Sequence, residues 1–156
     1  MAVRPKIISP AIFSKYEPGM KYGTHIDTAL MGGGNYMMQT DISVISVTMF
    51  LSPASSYTAA ELVIESPPGE PSVKLDAGAL AVYPSTSLHG VERVTQGVRF
   101  AAVSWVQSLS RDAHQRETLL DLETAGKSIM EKHGKTPEFD FICNIFTNLL
   151  RLWADV

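Results

Sequence analysis

The chain of 156 residues predicts a mainly β domain, a closed or double-sheet structure, followed by a C-terminal helical hairpin. Three observations carry this expectation. Short runs of strand-forming residues punctuated by Gly, Pro and Ser extend from Ile7 to Ser108. After Ser110 the apolar residues fall at helical spacing instead. The length suits one domain able to bury a core.

In chain order the predicted strands are Ile7 to Tyr16, Gly23 to Ala29, Ile42 to Leu51, Glu61 to Glu65, Ser72 to Leu75, Ala79 to Tyr83, His89 to Val94 and Val98 to Val106. Pro67-Pro68-Gly69, Asp76-Ala77-Gly78 and Thr95-Gln96-Gly97 supply turn signals between the later strands. The run from Ile42 to Leu51 is mostly apolar, interrupted by Ser43 and Thr48, and is expected to be buried on both sides. Gly32-Gly33-Gly34 and Ser55 to Ala60 read as mobile loops.

In the helical part, Leu119, Leu122, Ile129 and Met130 form one apolar face, and Gly134 is placed to stop that helix. Thr136 caps a second helix with Pro137 at its first position. Its stripe of Phe139, Ile142, Ile145, Phe146, Leu149, Leu150 and Trp153 is expected to pack as core. The expected division is residues 1–109 as the β domain and residues 110–156 as a helical extension packed on the barrel.

Composition bounds the partners. Hydrophobic residues make up 45% and charged residues 19%, and no apolar run is long enough to span a bilayer. A net charge of -3 with no Lys/Arg cluster argues against a nucleic-acid partner. Cys143 is the only cysteine, which excludes a disulfide framework and suits a reducing cytoplasm. Met1 to Lys6 lacks the features of a secretory signal.

The chemistry concentrates in His25-Ile26-Asp27, His89 and Arg99. Residues two apart on a strand or strand end share a face, so His25 and Asp27 can offer a nitrogen and an oxygen to one ion. With His89 as third ligand, two histidines and a carboxylate leave open positions, the arrangement of non-heme Fe(II) oxygenases. The bland alternative makes the histidines hydrogen-bonded rim residues and Asp27 a turn former. Arg99, flanked by Val98, Phe100, Ala101 and Ala102, is expected as a buried anion anchor with a geometry that Lys would not reproduce.

The segments Tyr16 to Asp27 and Ala79 to Ser108 resemble the Fe(II)/2-oxoglutarate dioxygenases, and within them the bacterial PKHD-type hydroxylases, which are related to prolyl hydroxylases. His25-x-Asp27, Tyr83-Pro84-Ser85 before Leu88-His89-Gly90-Val91, Thr95-x-Gly97-x-Arg99 and Trp105-Val106-Gln107-Ser108 carry the likeness, which continues through Leu149-Leu150-Arg151-Leu152-Trp153. The resemblance implies a double-stranded β-helix, a jelly-roll or cupin-like barrel. It implies Fe(II) on His25, Asp27 and His89, and 2-oxoglutarate held by Arg99, with Tyr16 touching it from the first barrel strand. Ascorbate is a further candidate cofactor. O2 and a small-molecule or peptidyl substrate would be the partners, with hydroxylation of the substrate and release of succinate and CO2.

Departures from the family pattern carry further expectations. Ala59-Ala60-Glu61-Leu62 stands where relatives commonly have Gly-Gly-Glu-Leu, which predicts a stiffer turn. Phe50 stands near a tyrosine that in some relatives bonds the distal carboxylate, so Thr48 or Ser46 is expected to assist Arg99. Relatives carry a segment before the first barrel strand, whereas this chain begins almost on that strand. A bare first strand presents an edge to be covered by a partner subunit or by the C-terminal hairpin, and a homodimer is expected.

Other residues read as structural. Tyr22 is expected at the entrance, Tyr83 as structural, His114 and His133 as solvated, and Cys143 as a small buried hydrophobe. Ser85 and Ser87 lack the Gly-x-Ser-x-Gly elbow of a hydrolase. Met31 to Tyr36 is a candidate lid, with glycines as hinges or as a plain flexible connection. A rival reading is a non-catalytic cupin-like barrel that binds a metal or ligand. A third is an interaction module built on the Phe139 to Trp153 stripe.

Overall fold

A computed structural model describes residues 3–31, 41–42, 45–65 and 72–155. It divides into two compact units, Ile7–Gln107 and a second made of Met1–Lys6 with Ser108–Val156. The strands are β1 (Pro5–Ile8), β2 (Ile12–Tyr16), β3 (Tyr22–His25), β4 (Leu30–Met31), β5 (Asp41–Ile42), β6 (Ile45–Phe50), β7 (Tyr57–Ala59), β8 (Leu62–Ile64), β9 (Ser72–Val73), β10 (Leu80–Pro84), β11 (His89–Val91), β12 (Val94–Gly97) and β13 (Arg99–Ser108). Helices α1 (Ala113–His133) and α2 (Pro137–Trp153) follow. The mainly β fold with two C-terminal helices is the one expected.

Strands β1, β13, β6 and β10 form one sheet in that order, and β2 also pairs with β13. Strands β3, β11, β8 and β9 form the second sheet. Two short pairs, β12 with β7 and β4 with β5, complete the ladders. The core of the β unit is Phe50, Tyr57, Ala60, Leu62, Ala81, Tyr83, Val91 and Val94.

Several strand expectations are corrected. The run from Ile7 to Tyr16 is two strands, separated at Ser9-Pro10-Ala11, where Pro10 has no N–H for a ladder. The segment Ser55 to Ala60 is ordered: a 3-10 turn at Ala54–Ser56 leads into β7. Thr95-Gln96-Gly97 lies within β12, paired with β7. Strand β6 is not buried throughout, because Ser46, Thr48 and Phe50 are buried while Met49 is exposed. Asp76-Ala77-Gly78 turns as expected, with Gly78 at φ 90 donating to the Phe50 carbonyl at 2.8 Å. Ser43, the Pro67-Pro68-Gly69 turn, the three-glycine run and most of the candidate lid lie outside the described residues.

The end of α1 and the start of α2 follow their sequence signals, and the start of α1 is set by a cap that the sequence reading did not name. The Asp112 side chain accepts from the Gln115 N–H and caps α1. The Gly134 N–H donates to Met130 O at 3.0 Å and closes it. Thr136 Oγ1 accepts from Phe139 N at 3.3 Å to cap α2. The two helices meet where Gly126 is buried, since a Cβ there would stand 3.4 Å from Ile142 Cγ2. The α2 stripe is only half-buried, and Ile145 is exposed, so it does not form a closed core within this unit. Arg4 pairs with Glu123 at 2.5 Å and stacks over Phe146. Hydrogen bonds from Lys127 and then Arg4 hold the Glu123 carboxyl below its usual range. His114 and His133 are exposed, as expected, and Cys143 is half-buried. Among the described residues no helix is long and apolar enough to cross a membrane.

Backbone conformation makes opposite demands at two turns. Gly97 has φ 75, and a Cβ there would stand 2.2 Å from Ser56 O. Ala59 and Ala60 have φ of 60 and 62, so the Ala-Ala turn is strained and not merely stiffer. Left-handed backbone costs an L-residue about 1–2 kcal/mol, more than the roughly 0.4–1 kcal/mol that glycine loses through a freer unfolded chain. In chemical denaturation, Ala59→Gly should stabilise the β unit by about 0.5–1 kcal/mol, whereas Ala60→Gly, which also removes a fully buried methyl worth about 0.8 kcal/mol, should leave its stability nearly unchanged. Gly97→Ala should destabilise it by about 3 kcal/mol through clash and strain together.

Candidate metal centre

Antiparallel pairing of β3 with β11 places His25 directly opposite His89. A register irregularity follows between His89 and Val91, where Gly90 lets the strands close: a Cβ there would stand 3.0 Å from Tyr22 O. The two imidazole centroids are 4.3 Å apart. Asp27 lies beyond the end of β3, so its carboxylate is not aimed by the strand pleat that the His-x-Asp spacing suggested. It nevertheless reaches both rings, with Oδ1 at 3.7 Å from His25 Nε2 and Oδ2 at 3.7 Å from His89 Nε2. One ligand atom from each residue lies within 4.8 Å of the others, close enough to share one ion.

Both imidazoles are oriented by their own chain. His25 Nδ1 lies 2.9 Å from Gly23 O, and His89 Nδ1 lies 3.0 Å from Ser87 O. A neutral imidazole that donates from Nδ1 leaves Nε2 as the free lone pair, the arrangement that prepares a histidine for a metal. Asp27 and His89 are buried at 7% and 6% side-chain exposure, whereas His25 is 32% exposed. The site therefore opens to solvent past His25, where the Tyr22 ring makes an edge contact at 4.5 Å. Tyr22 lines the entrance, as expected.

The three residues line a cavity of about 320 Å³ bordered by both sheets, which also receives Tyr16, Thr48, Tyr83, Arg99 and Trp105. Arg99 is 1% exposed. Its guanidinium carbon lies 5.2 Å from the Phe50 ring centre and 5.4 Å from that of Tyr16, which faces it in the β2–β13 register. No ion pair among the described residues includes Arg99, and its Nε and Nη2 lack hydrogen-bond partners. A buried cation without an anion is costly, so this end of the cavity suits a carboxylate-bearing ligand. Tyr57 Oη is buried beside Arg99; burial raises its hydroxyl above the usual range, and the charge and hydrogen-bonding reach of Arg99 partly offset this.

Three residues take roles that the sequence reading did not assign. Ser46, expected beside Arg99, instead donates from Oγ to Asp27 Oδ2, and Ser85 Oγ lies 2.9 Å from Ser46 Oγ. Tyr83, expected as structural, is buried in the cavity wall with its ring 4.9 Å from that of His89. Its hydroxyl meets Thr48 Oγ1 at 3.4 Å. Strand alternation holds the usable signal: Ser46, Thr48 and Phe50 share one face, as do Tyr83 and Ser85.

Desolvation pushes the Tyr83 hydroxyl up to about 12, so it stays a proton donor at neutral pH. The folded state holds this proton more tightly than the unfolded chain. Its contribution is therefore complete below about pH 10 and is lost as pH rises from 10 to 12. In metal-free protein, denaturation at stepped alkaline pH should show a fall of roughly 2–3 kcal/mol across that window, and Tyr83→Phe should flatten it.

Comparisons with known proteins identify the family and the fold. A family model for the 2OG-Fe(II) oxygenase superfamily matches residues 11–107, and one for the PKHD-type hydroxylase C-terminal domain matches residues 113–155. A PKHD-type hydroxylase of Thermosynechococcus vestitus is 50% identical over 154 residues, covering 99% of this chain and 67% of that protein. One from Synechococcus sp. strain JA-2-3B'a(2-13) is 52% identical over 156 residues, covering 100% and 68%. Among solved structures, a Pseudomonas putida prolyl-4-hydroxylase shares the fold with a TM-score of 0.52 at 21% identity, over 68% of this chain and 55% of that one. A Burkholderia pseudomallei oxidoreductase of the 2OG-Fe(II) oxygenase family does so with a TM-score of 0.53 at 17% identity, over 65% and 45%. With half of its residues shared along nearly its whole length, the chain belongs to the PKHD-type hydroxylases, 2-oxoglutarate-dependent enzymes of the 2OG-Fe(II) oxygenase superfamily.

Proposed function

We propose that residues 1–109 form a dioxygenase domain that binds Fe(II) through His25, Asp27 and His89 and 2-oxoglutarate through Arg99 and Tyr16. Residues 110–156 form its helical extension. The reaction is hydroxylation of a substrate C–H bond: substrate, O2 and 2-oxoglutarate become hydroxylated substrate, succinate and CO2. The observation that carries this reading is the buried guanidinium of Arg99, which has no ion-pair partner among the described residues and whose Nε and Nη2 make no hydrogen bond, in the cavity that holds the His-Asp-His group. A barrel that only stores a metal has no use for such a cation, which disfavours the cupin-like alternative.

Bound at the His-Asp-His group, Fe(II) would supply the oxidative chemistry with O2, while the protein binds and orients. Arg99 would pair with the distal carboxylate of the cosubstrate, with the Tyr16 ring as neighbouring wall. The Gly23 and Ser87 carbonyls hold the two imidazoles through Nδ1, which would leave each Nε2 to bind the ion. Tyr22 and Ile26, both exposed, border the mouth with Ile12 and Trp105. An apolar and aromatic mouth suits an uncharged portion of an amino-acid side chain or of a small molecule. Ascorbate as a further cofactor, a cytoplasmic location and a homodimer belong to the same reading.

Anaerobic titration with Fe(II) and 2-oxoglutarate tests the reading: a metal-to-ligand charge-transfer band should appear, and succinate should form when O2 is admitted. A folded protein with neither signal would defeat it. His25→Ala, Asp27→Ala and His89→Ala should each abolish the band, whereas an interaction module would retain its function in His25→Ala. Arg99→Lys should raise the 2-oxoglutarate half-saturation about thirty-fold, as expected for losing one charge-assisted hydrogen bond of about 2 kcal/mol. Metal affinity should hardly change in that variant.

A further inference from the structure

We propose that Ser46 and Ser85 form a two-hydroxyl relay that positions the Asp27 carboxylate for the metal. The proposal rests on the reading of His25, Asp27 and His89 as ligands. Ser46 and Ser85 are buried at 0% and 3% exposure, so neither hydroxyl has bulk water as an alternative partner. Ser46 Oγ donates to Asp27 Oδ2. A serine hydroxyl has one proton, so the 2.9 Å contact between the serines must use the proton of Ser85. The direction is thereby set: Ser85 donates to Ser46, and Ser46 donates to Asp27. Each donation polarises the next, which makes the terminal hydroxyl a better donor than a lone serine.

Asp27 needs this support because of where it stands. It follows the last residue of β3 and gains no orientation from the β3–β11 ladder, which ends at His25. The relay instead comes from the other sheet. Ser46 lies on β6 opposite Tyr83 of β10, and Ser85 is the residue after β10. The bond between Ser46 and Asp27 therefore ties the two sheets together at the metal ligands. With Oδ2 engaged by Ser46, Oδ1 is left on the His25 side. The relay favours a carboxylate that gives one oxygen to the metal and keeps the other on the protein. Ser46 and Ser85 are positioning residues in this scheme, since neither touches substrate.

Anaerobic titration of the whole chain with Co(II) reads the relay without turnover. Ser46→Ala should weaken Co(II) binding roughly 10–100-fold, the usual effect of losing an outer partner of a metal ligand. Ser85→Ala should weaken it less, by roughly 3–10-fold. The double variant should bind no more weakly than Ser46→Ala alone, because one chain is broken once, and Ser46→Thr should restore affinity by restoring the hydroxyl. Wild-type affinity in folded Ser46→Ala or Ser85→Ala overturns the relay, as do losses that multiply in the double variant. If Ser46→Ala does not fold, Ser85→Ala and Ser46→Thr decide the matter by the same criteria. His25→Ala in the same titration separates the two levels: wild-type Co(II) affinity there overturns the ligand assignment itself, whereas weakening there with no change in the serine variants overturns only the relay.

Discussion

The pairing of β3 with β11 is the constraint on which the site depends. It places His25 and His89 opposite each other although 63 residues lie between them in the sequence. A slip of one residue would turn one imidazole to the other face of the sheet. Gly90 permits the register, since the Tyr22 carbonyl and Thr24 backbone come so close that a side chain there would push the strands apart. Backbone carbonyls two residues before each histidine then set the ring orientation. The candidate metal site is thus largely a property of backbone geometry.

The interior of the β unit is mixed, with a polar site set beside the apolar core of Phe50, Leu62, Val91 and Val94. Ser46, Thr48, Ser85, His89 and Arg99 are buried, while Met49, Leu80, Val82 and Phe100 on neighbouring strands are exposed. Hydrophobic patterning read by the ordinary rule assigns such faces the wrong way round. The inner face holds a polar site, so its hydroxyls and charges must find partners within the protein or on a ligand. Ser46, Ser85, Thr48 and Tyr83 do so within the protein. Arg99 Nε and Nη2 do not, and that difference separates the framework of the site from the part proposed to receive a ligand.

The sequence expectation for the helical unit succeeded at its ends and fell short along its length. Gly134, Thr136 and Pro137 act within one turn of the chain, and each stands at the expected boundary, whereas the Asp112 cap that starts α1 is found only in the structure. Burial depends on distant partners. Phe141 and Leu152 are exposed, as is Ile145 on the predicted apolar stripe. Local capping chemistry is readable residue by residue, whereas the partners of an apolar face are not.

By itself the sequence determined the fold class, the family, the identities of His25, Asp27, His89 and Arg99 as candidates, and the boundary between the two helices. These follow from residue chemistry, short-range spacing and motif likeness. Tertiary structure decided that Asp27 leaves its strand, that Ser46 serves Asp27 instead of Arg99, that Tyr83 joins the cavity wall and that Ala59 and Ala60 occupy left-handed backbone. Each depends on contacts between residues far apart in the chain or on a dihedral angle that side-chain identity does not specify. The physical division is therefore one of range: the chain encodes its reactive groups locally, and pairing between sheets decides which atoms those groups face.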